Sequence, residues 1–278
     1  MRSITLTAFA LTAFAFNSIL CRMALASGES DAASFTGVRL ISGAVTLAAF
    51  LLVFGKAPTA WKSGNWMSAF FLFAYAVAFS FAYLGLTTAT GALILFGCVQ
   101  LTMFGVSLFR GMRPGILEWS GLAVAFCGLV YLVLPGLSAP PFSSALLMVA
   151  AGMAWGGYTL RGKGSEDPLA DTAGNFVRSV PMVLAVVLIF LPNLNISSRG
   201  ILLAVLSGAV ASGVGYSVWY AALKYHTPAR AGVLQLAVPG IAAVGGVIFL
   251  AETASWRLVA AGVLILGGIG LTLIRRRD

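Results

Sequence analysis

Ten apolar stretches, joined by short connectors, run through this chain almost end to end. They fall at residues 3–26, 33–54, 65–87, 89–109, 115–134, 143–161, 171–191, 199–222, 229–250 and 256–274. Most approach the ~20 residues that a helix needs to cross about 30 Å of hydrocarbon. Charged residues are 9% of the sequence and hydrophobic ones 60%, whereas a soluble domain carries roughly 25% charged residues. Too few charges exist to clothe a water-facing exterior, so lipid must be the main solvent. Lipid-facing backbone has to satisfy its own hydrogen bonds, which leaves helices or a closed barrel. The runs lack the alternation of a barrel strand. The expectation is an all-α polytopic membrane protein.

The basic residues orient it. With the N-terminus in the cytoplasm, that side holds Arg2, Lys56, Lys62, Arg110, Arg113, Arg161, Lys163, Lys224, Arg230, Arg275, Arg276 and Arg277. The outer side holds only Arg22, Arg199 and Arg257. By the positive-inside rule both termini are cytoplasmic. The same asymmetry accounts for the net charge of +9. The charges spread along one membrane face, so nucleic acid is not an expected partner. Arg2 before an apolar run and Ala24-Leu25-Ala26 imitate a cleavable signal, but the first span has a counterpart later in the chain. Cys21, Cys98 and Cys127 are odd in number and widely spaced, which supports neither disulfides nor a metal site. They read as small buried hydrophobes.

That counterpart belongs to a duplication. Slid by about 139 positions, Arg22 meets Arg161, Val38-Arg39 meets Val177-Arg178, and Phe16 meets Trp155. With small adjustments Phe79-Ser80 meets Tyr216-Ser217 and Tyr83 meets Tyr220. Arginine is rare within spans, so its pairing carries more weight than matched apolar residues. Each copy has five spans, an odd number, so the second enters the membrane from the other side. Many secondary transporters share this inverted arrangement. The fold expected is ten transmembrane helices as two inverted five-helix repeats, residues 1–138 and 139–278.

Several segments carry a resemblance to a known family. They are Val177-Arg178, the connector from Leu223 through Lys224, Tyr225, His226, Thr227 and Pro228 to Ala229-Arg230-Ala231, Pro239, and Phe249–Glu252, with Ala251 where the family usually has glycine. On these and on its span count the chain resembles the EamA-type branch of the drug/metabolite transporter superfamily, and within it the bacterial exporters of aromatic amino acids. The resemblance implies export of a small metabolite across the bacterial inner membrane by alternating access.

No Asp or Glu lies in the middle of a span, which weakens cation coupling through an intramembrane carboxylate. The polar inventory is aromatic and neutral instead. Tyr75, Phe79 and Tyr83 are four apart and share a helix face. Tyr216 and Tyr220 repeat that spacing, with Trp219 beside them and Ser212 one turn earlier. Buried hydroxyls need partners, so these faces are expected to line a cavity. The alternative is a packing stripe. Asn17, Gln100 and Gln235 offer amides, and Trp155 and Tyr158 flank the repeat mate of Asn17. Without Ser212, these eleven residues are the candidate substrate-binding set. Interhelical bonding is the alternative for the amides. Pro239 frees the carbonyl of Gln235 or bends its helix. Arg39 and Arg178, the two charges within spans, are expected to snorkel to opposite membrane faces, with gating or pairing with helix ends as the alternative.

The reading is an exporter of neutral amino acids, aromatic ones preferred, expected to act without a cofactor and as a monomer among membrane lipids. Cationic aromatic drugs held by cation–π contacts are a second substrate class. A passive channel or facilitator is a different function. A membrane enzyme is disfavoured by the lack of any catalytic constellation. No nucleotide-binding loop is present.

Overall fold

The computed structural model describes residues 2–54, 62–109, 111, 115–134, 139–226, 234–235 and 237–272. Among them no β-strand occurs; one isolated bridge joins Ser30 and Ile196. The helices are α1 (Arg2–Ala26), α2 (Ala32–Val53), α3 (Trp66–Ala82), α4 (Thr88–Phe109) and α5 (Ile116–Val133). They continue with α6 (Phe142–Gly162), α7 (Pro168–Ile189), α8 (Ser198–Leu223), α9 (Ala237–Leu250) and α10 (Trp256–Thr272). Of these, α1, α2, α4, α5, α7 and α8 are long and apolar enough to cross a membrane, while α3, α9 and α10 are shorter apolar helices.

Local chemistry sets the ends. The first N–H groups of a helix lack intrahelical partners, and a short acceptor side chain at the N-cap supplies one. Asp31 accepts from Ala33 and Ser34 N–H at 2.9 Å each to start α2. Asn65 accepts from Ser68 N–H at 2.9 Å to start α3. Asp167 precedes Pro168 at the first position of α7, and Ser197 accepts from Gly200 N–H at 3.0 Å to start α8. Glu118 reaches back to the Gly115 N–H at 2.6 Å at the start of α5.

Three features differ from the sequence reading. First, α3 ends at Ala82 rather than 87, because Leu84 and Gly85 N–H turn back onto the carbonyls of Phe81 and Ala82. Second, α8 is not uniform. Its middle, Leu206–Val214, is π-helical between two α-helical ends. Third, Cys127 is exposed, unlike Cys21 and Cys98, because α5 buries only one side, through residues such as Gly121, Ala125 and Leu129. The early part of the 229–250 stretch and the Thr227–Ala231 motif lie outside the described residues.

The helices of the two halves interleave. α1 packs on α8 and α9, α2 on α7 and α8, α3 on α6 and α7, α4 on α6 and α9, and α5 on α10. Small residues permit the close approaches. A Cβ on Gly208 would collide with the Arg39 carbonyl, so α8 touches the backbone of α2 there. One on Gly268 would lie 2.5 Å from the Ala125 nitrogen, which brings α10 against α5. The outside is apolar: Phe9, Val45, Leu52, Phe70, Phe126, Leu146, Leu188, Ile248 and Val263 are all exposed. Water would leave such a surface costly, and lipid does not. The protein is a multi-pass membrane protein.

Candidate functional site

At the centre α1, α2, α3 and α8 bring one polar cluster together. Arg39, eighth in α2, is only 1% exposed. Its Nε donates to Ser212 Oγ at 3.1 Å, and its Nη2 donates to the hydroxyls of Tyr75 (3.1 Å) and Tyr216 (2.9 Å). Asn17 Nδ2 donates to the same Ser212 Oγ (3.0 Å) and Tyr216 hydroxyl (2.9 Å), and Asn17 Oδ1 accepts from Ser207 Oγ at 2.5 Å. The Tyr216 hydroxyl donates to that of Tyr75 at 3.2 Å. The guanidinium carbon lies over the rings of Tyr75 and Phe79, 5.3 and 5.0 Å from their centroids. The expected snorkelling of Arg39 is therefore corrected. The close approach at Gly208 sets Ser207 and Ser212, both in the π-helical turn, where hydroxyls can receive the guanidinium inside the protein. Such non-α turns recur at functional sites.

Aromatic rings surround this cluster. Trp155 lies 5.0 Å from Tyr75 and 4.6 Å from Tyr216, centroid to centroid, and 5.6 Å from Tyr158. Phe14 meets Trp155, Tyr216 and Trp219 edge-on at 5.5–5.7 Å. The sequence-expected face of α3 forms as a chain of rings, Tyr75 to Phe79 at 5.3 Å and Phe79 to Tyr83 at 4.8 Å. Tyr158 and Tyr220 lie 5.6 Å apart, with the Tyr220 hydroxyl donating to the Tyr158 carbonyl. In this conformation the rings contact one another.

Of the eleven candidates, Asn17, Tyr75, Phe79, Trp155, Tyr216 and Trp219 converge on the centre. Tyr83 extends the chain of rings to the far end of α3, and Tyr158 with Tyr220 extends it the other way. Gln100 is half-buried on α4, and Gln235 is buried in the short described stretch before α9. Pro239 is buried within α9. Arg178 does not mirror Arg39. Its Nη1 donates to the carbonyls of Ser63 (2.6 Å) and of Gly174 on its own helix (2.9 Å). Phe14 and Ser207 were not among the sequence candidates. Phe14 stands three residues before Asn17, on the same helix face. Ser207 and Ser212 are five apart, a spacing that shares a face only in a π-turn.

Contacts tie the halves together at both ends of the bundle. At one end Arg22 donates to the Tyr83 carbonyl at 2.8 Å and pairs with Glu252 at 3.5 Å. Both Glu252 oxygens accept from the Thr88 N–H, at 3.0 and 2.9 Å. A cation thus meets the C-terminus of α3 and an anion the N-terminus of α4, each matching the helix dipole. Beside them, Asn195 N–H donates to Asp31 Oδ2 at 2.7 Å, and Arg199 pairs with Glu29 at 3.7 Å. Burial pushes the Asp31 carboxyl pKa up, but hydrogen bonds from Ser34, Asn195 and Ala33 outweigh it and hold the group below its ordinary value. At the opposite end Gly64 N–H donates to Asp171 (3.0 Å), Asn65 N–H to Asn175 Oδ1 (2.9 Å), and Arg161 to Ser68 Oγ and Asn65 Oδ1 (3.0 Å each). No group of three or more His, Cys, Asp or Glu suited to a metal occurs among the described residues.

Comparison with known proteins adds the following. Residues 142–274 match the EamA-like transporter family. The chain is 47% identical over 275 residues to an uncharacterized protein of Pseudomonas aeruginosa, covering 99% of this chain and 96% of that one. It is 29% identical over 243 residues to an uncharacterized transporter of Archaeoglobus fulgidus, covering 83% and 85%. It is 32% identical over 190 residues to the threonine/homoserine exporter RhtA of Escherichia coli, covering 62% of this chain and 60% of that one. A crystal structure with 19% identity shares the fold at a TM-score of 0.70, covering 98% of this chain and 97% of that one.

Proposed function

Because the chain belongs to the EamA-like transporter family, we propose that it exports neutral amino acids, aromatic ones preferred, across the bacterial inner membrane by alternating access. The observation that carries this reading is the convergence of Asn17, Arg39 and Tyr75 from the first half with Trp155, Ser212 and Tyr216 from the second on one buried centre. A transport site shared by two halves is what rocking of one against the other exposes to each side in turn. Aromatic faces receive an apolar side chain, and the hydroxyls and amide receive the polar backbone of an amino acid. RhtA, an exporter of threonine and homoserine, supports amino acids as the cargo class.

The architecture in this proposal is ten spans as two inverted repeats, 1–138 and 139–278, with both termini cytoplasmic and the monomer as the working unit. The packing supports it. Exchanging α1–α5 for α6–α10 leaves the helix pairs unchanged: α1 with α8 becomes α6 with α3, α1 with α9 becomes α6 with α4, and α2 with α7 and α5 with α10 map onto themselves. On this topology Arg22, Glu252 and the Asp31 cluster close the outer end, and the Asn65, Arg161 and Asp171 cluster closes the inner one.

The test is efflux from proteoliposomes loaded with labelled phenylalanine or threonine, with and without a pH gradient. Trans-stimulation by unlabelled substrate is expected, since a carrier exchanges through a closed cycle and a channel does not. Trp155→Ala, Tyr83→Ala and Tyr220→Ala should each slow efflux while inserting normally. Wild-type rates in all three would remove the aromatic centre from the mechanism.

A further inference from the structure

We infer that Arg39 is the anchor for a substrate carboxylate, so that the cargo must carry an anionic group and cationic amines without one are refused. The inference rests on the same central site and narrows its substrate class.

A count of donors and acceptors leads there. Arg39 carries five N–H donors. Three of its contacts use Nε and Nη2, and all of them end on neutral hydroxyls. Nη1 is buried and makes no hydrogen bond. Ser212 Oγ accepts from both Arg39 and Asn17, so its own proton remains available. The Tyr75 hydroxyl accepts from Arg39 and Tyr216 and is equally free to donate. The indole N–H groups of Trp155 and Trp219, in the surrounding ring cluster, are buried and unpaired as well. The centre therefore holds a surplus of donors and a full positive charge.

Among the described residues no carboxylate pairs with Arg39. Glu29, Asp31, Glu118, Asp167, Asp171 and Glu252 all serve at helix ends, and Glu166 lies in the connector between α6 and α7. Faces of Tyr75 and Phe79 supply cation–π attraction, which is weaker than an ion pair. A charge buried at membrane depth is expensive and marks a functional group by default. A carboxylate closes the account: guanidinium binds it in a fork, with neighbouring hydroxyls as further donors. The ring faces then take the rest of the molecule, including an ammonium if one is present. A cation alone would add like charge beside Arg39.

The experiment uses purified full-length protein and matched ligands that differ in one group. These are phenylalanine, phenylalanine amide, phenylacetate and phenethylamine, with threonine and threonine amide as a smaller pair. Binding is read by thermal stabilisation in detergent, and transport by counterflow. Each acid is expected to bind about 10- to 150-fold tighter than its amide or amine, the worth of a hydrogen-bonded charge pair. Arg39→Gln should abolish that preference, and Arg39→Lys should keep part of it, because a point charge lacks the fork. If Arg39→Gln fails to fold, Arg39→Lys and the wild-type acid/amide ratio still decide. Amides binding as well as acids, or an acid preference intact in Arg39→Gln, would overturn the anchor and leave amino-acid export standing. Phenylacetate binding without either amino acid would uphold the anchor and overturn amino-acid export. Binding of no member of the panel would overturn both.

Discussion

On the proposed topology the cluster around Glu252 faces outward, and there it makes a quantitative test of alternating access. Glu252 joins the second half to the first through Thr88 N–H and Arg22, so these contacts must break when the outer end opens. Glu252→Gln keeps one oxygen for Thr88 but removes the charge. Hydrogen bonds to charged groups contribute about 1.5–3 kcal/mol and neutral ones about 0.5–1.5 kcal/mol. The side chains of Arg22 and Glu252 are 21% and 13% exposed, so screening trims the ion-pair share. A net loss of about 1–2 kcal/mol from the closed state raises the open population roughly 5- to 30-fold. Cys21, fully buried one residue before Arg22, is a built-in reporter. With opening fast relative to modification, a membrane-impermeant maleimide added outside should label Cys21 about 5- to 30-fold faster in Glu252→Gln. Buried Cys98 on α4 serves as the control for general unfolding. Unchanged Cys21 labelling, or an equal rise at Cys98, would refute the idea that this contact holds a closed state.

Other expectations follow from single residues. Ala251 holds φ at +52°, a conformation that costs an L-residue about 1–2 kcal/mol, partly offset by the unfolded-state freedom of glycine; Ala251→Gly should therefore stabilise the protein by about 0.5–1 kcal/mol, seen as a higher melting temperature in detergent. Asp31 has its pKa held below the ordinary value, so its stabilisation is complete above about pH 4 and fades as pH falls through the depressed folded value. Asp31→Asn should lower thermal stability at pH 7, with the difference from wild type shrinking in strong acid; a gap independent of pH would count against the hydrogen-bonded carboxylate. Arg178→Gln removes donors to Ser63 and Gly174 and should weaken stability while leaving the acid-over-amide preference intact, which the same ligand panel measures.

Much of the architecture is legible because lipid imposes a simple rule. Backbone in hydrocarbon bonds to itself, so long apolar runs become helices, and the edges of α2 and α6 fall within about two residues of the expected ones. The end of α3 is not legible, because Leu84-Gly85 turns within a sequence that stays apolar. The face of Tyr75, Phe79 and Tyr83 is legible from α-helical spacing alone. Ser207 with Ser212 is hidden, since five-residue spacing separates two side chains in an α-helix and unites them only in the π-turn. Ala251 shows the opposite case. The resemblance marks it as standing where glycine is expected, and the positive φ supplies a physical reason for that expectation.

The two span arginines show where symmetry stops being informative. On the proposed duplication Val38-Arg39 and Val177-Arg178 are counterparts, although Arg39 is eighth in α2 and Arg178 eleventh in α7. Depth does not decide whether a guanidinium turns inward or outward; the acceptors within reach do. Arg178 finds the carbonyl of Ser63, in the connector before α3, and that of Gly174 on its own helix. Arg39 finds three hydroxyls, two of them from α8, because Gly208 allows that helix onto the backbone of α2. A substrate with an acidic head and an apolar tail needs a site that differs at its two ends. A perfectly symmetric pair of halves could not provide one, so on the proposed architecture the divergence of these two arginines would turn a duplicated scaffold into an oriented binding centre.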